Sequence, residues 1–300
     1  IGAASTNCYR LVHAEGDGLP GLIIDVYGKT AVLQCHSIGM HRASPLIAQA
    51  LQVVFGDRIT AIYDKSTETL PDQYGQGLAN AYLFGERGEQ IVEENGHFFQ
   101  VDWETGQKTG FFLDQRDNRR LVSTYAPGKT LLNAFCYSGG FSVYALKAGA
   151  AKVDSVDASK KAMELTDRNV ALNGFTGDNH QSVTDDVMHF LRQPGDGYDI
   201  VIIDPPAFAK NISKRHQAVQ GYKRLNALAL QKVKPGGILF TFSCSQVVDK
   251  PLFYNTIVAA ALEAGRPVRL MHDLGQPADH PVSLYHPESS YLKGLALYVE

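Results

Sequence analysis

Two rhythms of apolar and polar positions divide this chain. Up to about residue 105, short apolar runs of strand length recur between turn residues, at 9–13, 22–26, 30–36, 59–63, 90–93 and 98–101. One helical stretch, about 42–55, interrupts them. Asn95-Gly96, between the last two runs, is a strong hairpin signal, because both residues accept the positive φ of a tight turn. Residues 67–83 are rich in glycine and polar side chains and predict an irregular surface connection.

From Thr109 onward the pattern alternates between strand and helix. Residues 114–125 predict a helix. Strands at 130–134, 152–157, 179–183, 199–204 and 238–243 then alternate with helices near 141–148, 159–173, 185–192, 222–233 and 252–264. Strands at 267–273 and 295–299 close the series as a hairpin. Such alternation implies a mostly parallel sheet with helices on both faces. The fold class expected is therefore α/β, preceded by a smaller α+β domain; seven strands fit the Rossmann-like class I methyltransferase architecture, although their order cannot be read from the count. The change of rhythm sets the domains at 1–105 and 106–300.

Composition narrows the setting. At 300 residues and 44% hydrophobic, the chain is large enough for one big core or two smaller ones. No window approaches the eighteen apolar residues of a spanning helix, so no membrane partner is expected. Cys8, Cys35, Cys136 and Cys244 are scattered without a C-x-x-C pair, which argues against a disulfide framework or zinc site and fits a reducing cytoplasm. The chain starts at Ile1 with no signal peptide in view, as a trimmed fragment would. A formal net charge of −3 suits poorly a protein that grips nucleic acid with its whole surface. The mean conceals an asymmetry, however. No Asp or Glu occurs between Pro205 and Val248, whereas Lys210, Lys214, Arg215, Lys223, Arg224, Lys232 and Lys234 all fall there. Such a run is either a solvated helix face or a phosphate-binding surface.

Candidate chemistry gathers at strand ends. The run Val201-Ile202-Ile203 ends in Asp204-Pro205-Pro206-Ala207-Phe208. The prolines end the ladder and stiffen the exit, so Asp204 and Phe208 are expected at the carboxyl edge, where open α/β sheets bind ligands. An acid beside a ring suits a flat heterocycle. The next apolar run ends in Ser243-Cys244-Ser245, bringing a thiol toward the same mouth. On the other side, Asn133-Ala134-Phe135-Cys136-Tyr137-Ser138-Gly139-Gly140 forms a glycine turn between strand and helix without the G-x-G-x-x-G of a dinucleotide site. Asp157, followed by Ala158 and Ser159, ends the second strand, where an acid accepts ribose hydroxyls, and Asp185 and Asp186 follow the third. Each carboxylate alone is most often a helix cap; three in succession after a glycine turn favour a pocket for S-adenosyl-L-methionine.

With these residues in view the chain resembles the ribosomal RNA large subunit methyltransferase I family, the cytosine-carbon-5 methyltransferases of bacterial 23S ribosomal RNA. The resemblance runs through Glu15-Gly16-Asp17-Gly18-Leu19-Pro20-Gly21, KTGFFLDQR (108–116), NAFCYSGGF, VDASKKA, DPPAF, Gly221-Tyr222-Lys223, FSCS, Ala278-Asp279-His280-Pro281 and Tyr291-Leu292-Lys293-Gly294. It implies S-adenosyl-L-methionine held by Gln115, Asn133, Phe135, Tyr137, Ser138, Gly139, Asp157, Ala158, Ser159, Asp185, Asp186, Asp204 and Pro205. It also implies Cys244 as nucleophile and Asp204 as the acid at the base edge. Phe208, Lys210, Lys214, Arg215 and Lys223 are then candidates for the RNA, and ribosomal RNA or a ribosomal particle is the partner. The resemblance also implies an N-terminal PUA domain, which this chain is expected either to lack or to have lost by trimming. The strand-rich N-terminal part is a candidate homodimer surface. Two other readings stay open: methylation of a base nitrogen such as that of guanine, and a non-catalytic RNA-binding assembly factor.

Overall fold

The computed structural model describes residues 5–209 and 211–300, which divide into two compact units. One holds residues up to Arg116 together with Pro277–Ser290, and the other holds Asp117–Gln276 with Tyr291–Glu300. The units therefore do not follow a single cut in the chain.

In the first unit, β1 (Cys8–His13), β2 (Leu22–Tyr27), β3 (Thr30–Cys35), α1 (Ile38–Arg42), α2 (Ser44–Phe55), β4 (Ala61–Asp64), α3 (Asp72–Gly75) and β5 (Ala81–Phe84) precede the hairpin β6 (Ile91–Glu94) and β7 (His97–Gln100). The sheet runs β1-β2-β3-β4-β5, antiparallel except for the parallel β3–β4 pair that the α1–α2 crossover requires. Ile24, Val26, Leu33, Ala48, Leu51 and Ile62 form its core. Asn95 (φ 49°) and Gly96 (φ 76°) turn the hairpin as their sequence predicts. The stretch 67–83, expected to be irregular, contains α3 and runs into β5. Three of the four β5 residues are exposed, so no alternation of burial marks this strand in the sequence.

The second unit contains α4 (Arg116–Tyr125), β8 (Thr130–Ala134), α5 (Gly140–Lys147), β9 (Lys152–Asp157), α6 (Lys160–Leu172), β10 (His180–Thr184), α7 (Val187–Arg192), β11 (Tyr198–Ile203), α8 (Arg215–Lys232), β12 (Val233–Ser243), α9 (Lys250–Ala264), β13 (Val268–Leu274) and β14 (Lys293–Val299). Its seven strands are ordered β10-β9-β8-β11-β12-β14-β13. The four pairings from β10 to β12 are parallel. Those of β14 with β12 and β13 are antiparallel, so the sheet is mixed and the expected parallel character holds only for its larger part. β13 and β14 do pair, but not as a tight hairpin: eighteen residues (275–292) separate them, and β14 inserts between β12 and β13. Helices cover both faces. Leu132, Ile203, Leu225, Leu239, Phe253 and Ile257 join β8, β11 and β12 to α8 and α9. Phe141 and Tyr125 pack on Phe242 and Phe240 from the other side. Burial from two faces explains why Ile200–Ile203 reads as an unbroken apolar run. Among the described residues no helix is long and apolar enough to cross a membrane.

Candidate active site

Strand register fixes the height of each candidate. Ile203 is matched to Ala134 on one side and Thr241 on the other, and Ala134 is matched to Val156. One residue beyond this row come Asp204, Phe135 and Asp157, at the carboxyl ends of three adjacent strands. β8 and β11 are neighbours from which the chain departs in opposite directions, the switch point at which open α/β sheets leave a crevice.

On the β8–β9 side the backbone is bent sharply. Phe135 (φ 60°) and Tyr137 (φ 47°) both adopt left-handed conformations, and Gly139 (φ 73°) caps α5. Non-glycine residues persist in that region only where their surroundings impose it, and such positions concentrate at ligand sites. Asp157 holds the loop: one carboxylate oxygen accepts from the Tyr137 N–H (3.1 Å) and the other from the Ser159 N–H (2.9 Å). Both glycines leave room for neighbouring side chains. A Cβ on Gly139 would stand 2.7 Å from Thr166 Cγ2, and one on Gly140 would stand 3.0 Å from Arg119 Cδ. Asn133 is buried and donates to Ser142 Oγ (2.8 Å), while its Oδ1 lacks a hydrogen-bond partner. Ser138 is buried and its carbonyl accepts from Asn169. Ala158 and Ser159 are exposed, and Ser159 caps α6. Asp186 caps α7 through the His189 N–H (2.8 Å), and Asp185 pairs with His189 Nδ1 (2.8 Å). Gln115 lies buried in the first unit, on the 3-10 turn 113–115.

On the β11–β12 side the acid and the thiol approach a common tyrosine. The Tyr222 ring is fully buried on α8. Burial pushes its hydroxyl up to about 12, with the nearby charges of Cys244 and Asp204 acting in the same direction against Ser243 and the Phe208 backbone. Ser243 and Phe208 lie beside the hydroxyl without completing a hydrogen bond to it. Continuing the Ile203–Thr241 register by one residue brings Asp204 level with Phe242, and Cys244 is two residues further along that line. Strand spacing and rise then put the two backbones roughly 8 Å apart, within the span of one base. Both residues are part-exposed, whereas Pro205 is buried and Pro206 exposed. The two loops are tied together, because the buried Ser245 hydroxyl donates to the Ala209 carbonyl (2.8 Å). Phe208, 37% exposed, lays its ring against Tyr222 (centroids 4.6 Å apart), in room left by Gly221.

Cys136 is a different kind of thiol. It is buried against Met163 Sδ (3.5 Å) and Thr166 Oγ1 (3.7 Å), and burial pushes it up to about 12.

The basic run is distributed rather than concentrated. Lys210 lies outside the described residues. Lys214 is exposed ahead of α8, where Arg215 pairs with Asp249 (3.1 Å). Lys223 pairs with Glu263 on α9 (2.6 Å). Such part-exposed pairs contribute little to stability. Lys234 neighbours Thr130 and Asp199 at the amino ends of β8 and β11, so that part of the run belongs to the opposite edge of the sheet.

Sequence reasoning missed Tyr222, Ser245 and Lys293 as parts of this region. The signal for Lys293 was there: a lone lysine between Tyr291-Leu292 and Gly294-Leu295, in an otherwise apolar strand.

A family model for S-adenosylmethionine-dependent methyltransferases matches residues 49–282. The ribosomal RNA large subunit methyltransferase I of Aeromonas hydrophila is 42% identical over 295 residues, covering 96% of this chain and 74% of its own length. A candidate methyltransferase crystallised in complex with SAH superposes with a TM-score of 0.86 at 27% identity, over 99% of this chain and 76% of its own. The M. jannaschii tRNA m1G37 methyltransferase shares the fold, with a TM-score of 0.62 at 18% identity over 94% of this chain and 77% of its own.

Proposed function

Because this chain belongs to the ribosomal RNA large subunit methyltransferase I family of S-adenosylmethionine-dependent methyltransferases, we propose that it methylates carbon 5 of a cytosine in large-subunit ribosomal RNA, with Cys244 as the covalent nucleophile. The observation that supports this reading is that Asp204 and Cys244 follow the same ends of two adjacent strands, with the buried Tyr222 hydroxyl sensitive to the charge of both.

The residues of the β8–β9 side fit the cofactor. The Asp157 carboxylate is fixed by two backbone N–H groups, and each oxygen keeps a lone pair for a ribose hydroxyl. The left-handed turn 135–139 and the buried, unpartnered Asn133 Oδ1 support reading the same strand ends as a ligand cradle. Asp185, Asp186, Ser138, Ala158, Ser159 and Pro205 border it in this reading. Bound there, S-adenosylmethionine supplies an electrophilic methyl group.

Cytosine carbon 5 is a poor nucleophile, and the chain's own residues correct this. The Cys244 thiolate adds to carbon 6, forming a C–S bond and making carbon 5 an enamine carbon able to receive the methyl. Asp204 holds the ring-nitrogen edge and stabilises the protonated ring of the adduct. After transfer, loss of the carbon-5 proton to a base restores the ring double bond and returns the C–S electron pair to sulfur. Phe208, its ring fixed on Tyr222, is assigned to stack against the target nucleotide; Lys214, Arg215 and Lys223 are assigned to flanking phosphates. The test is nucleoside mass spectrometry of ribosomal RNA treated with the wild type and with Cys244→Ala. Loss of 5-methylcytidine with the cofactor still bound supports the reading. A methylated base nitrogen that survives the substitution overturns it, and no methylation by either protein while the cofactor binds favours an assembly factor.

A further inference from the structure

Lys293 is the first residue of β14 and the register partner of Ser243, the residue before Cys244. Partners in an antiparallel pair project to the same face, so its stem rises beside the turn that displays the thiol. The side chain is buried, and its ammonium donates to the Ser245 carbonyl (2.7 Å) and the Tyr291 carbonyl (2.7 Å). Cys244 is thus bracketed by a residue paired with Lys293 and a residue bonded to it.

A buried cation needs a counter-charge. Among the described residues no carboxylate comes within ion-pair distance of Lys293. Burial lowers its pKa, and the groups near enough to oppose that, were they charged, are the Cys244 sulfur first and Asp249 second. Asp249 is exposed, caps α9 and is already paired with Arg215. Tyr222 stays a neutral phenol from the α8 side, and Asp204 is the acid facing that tyrosine from β11. The group suited to balance the buried ammonium is therefore the sulfur.

Building on the nucleophile assigned above, we propose that Lys293 is a positioning residue that keeps Cys244 as a thiolate, its ammonium held over the 243–245 turn by the Ser245 and Tyr291 carbonyls. The thiol proton leaves to water, and the sulfur retains the electron pair beside the fixed positive charge. A thiolate stabilised in this way is the form able to add to carbon 6, and the ammonium stabilises it again when it is expelled.

The test is the rate of iodoacetamide alkylation of Cys244 against pH, read on its own peptide by mass spectrometry in the wild type, Lys293→Met and Lys293→Arg. The wild-type midpoint should lie below the ordinary thiol value of about 8.5. Lys293→Met should raise it by about one unit and slow alkylation at pH 7 about tenfold, whereas Lys293→Arg should keep it near wild type. Coincident wild-type and Lys293→Met profiles overturn the proposal. If Lys293→Met does not fold, the wild-type midpoint decides: a value at or above about 8.5 overturns it. The profile is measured without RNA or cofactor, so it stands apart from the nucleophile assignment. Retained 5-methylcytidine formation by Cys244→Ala would sink that assignment whatever the Lys293 profile shows.

Discussion

Ser245→Ala isolates the tie between the two loops of the proposed site. The substitution removes one hydroxyl from a fully buried position and leaves the backbone carbonyl that Lys293 uses in place. The buried Ala209 carbonyl then loses its 2.8 Å donor. Stranding a buried acceptor costs about 1–3 kcal/mol. The tie also joins the Asp204–Ala209 segment to the turn carrying Cys244, and a misplacement of ~1 Å between reacting groups costs on the order of 100-fold in rate. We therefore expect the unfolding free energy of this unit to fall by about 1–3 kcal/mol in urea and kcat for methyl incorporation to fall by roughly 10–100-fold. Cofactor affinity should change little, since Asp157 and the 135–139 turn are anchored independently of Ser245. A variant within about 0.5 kcal/mol of wild-type stability and about twofold of its kcat would refute the reasoning.

Gly139→Ala forces a left-handed alanine with its Cβ 2.7 Å from Thr166 Cγ2; conformational cost and overpacking together predict a loss of about 2–5 kcal/mol in urea unfolding, and a loss under about 1 kcal/mol contradicts the packing role. Asp157→Ala removes the acceptor proposed for two ribose hydroxyls, so calorimetry should find S-adenosylmethionine binding weakened about 100-fold, and a change under about threefold would remove Asp157 from the cofactor site. In the first unit, His13 is buried beside Arg10 and His280, and its pKa is lowered to about 4, mainly by burial. An unfolded histidine titrates near 6.5, so the unfolded state takes up the proton first, and stability present above about 6.5 is lost as pH falls toward 4. The loss should approach about 3 kcal/mol, and His13→Gln should flatten it; parallel stability curves for the two proteins between pH 7 and 4 would refute this assignment.

Much of the second unit is legible because its inner strands are largely buried. Thr130–Ala134 and Lys152–Asp157 are continuous enough to be bounded to the residue. The opening of α8 is not: Arg215-His216-Gln217 is polar and partly exposed, so the helix shows in the sequence only from Tyr222, two turns late. The place of β14 between β12 and β13 depends on pairings with no local signature. Side-chain duty is legible only where one chemistry dominates. Asp204 and Cys244 stand out by their position after apolar runs, whereas Asp186 as a helix cap and Gly139 as a seat for Thr166 emerge only when α7 and α6 are in place. Lys293 stands out as a lone lysine in an apolar strand, but its partners, the carbonyls of residues 245 and 291, have no signature in the sequence.

The most direct measurement is to offer the enzyme a ribosomal RNA fragment containing 5-fluorocytidine. Fluorine replaces the proton that must leave carbon 5, so the adduct cannot resolve. The account predicts a denaturation-resistant protein–RNA complex, dependent on S-adenosylmethionine, whose modified peptide maps to Cys244 and which is lost in Cys244→Ala. No such complex from a preparation that methylates the unfluorinated RNA, or an attachment at any other residue, would contradict it.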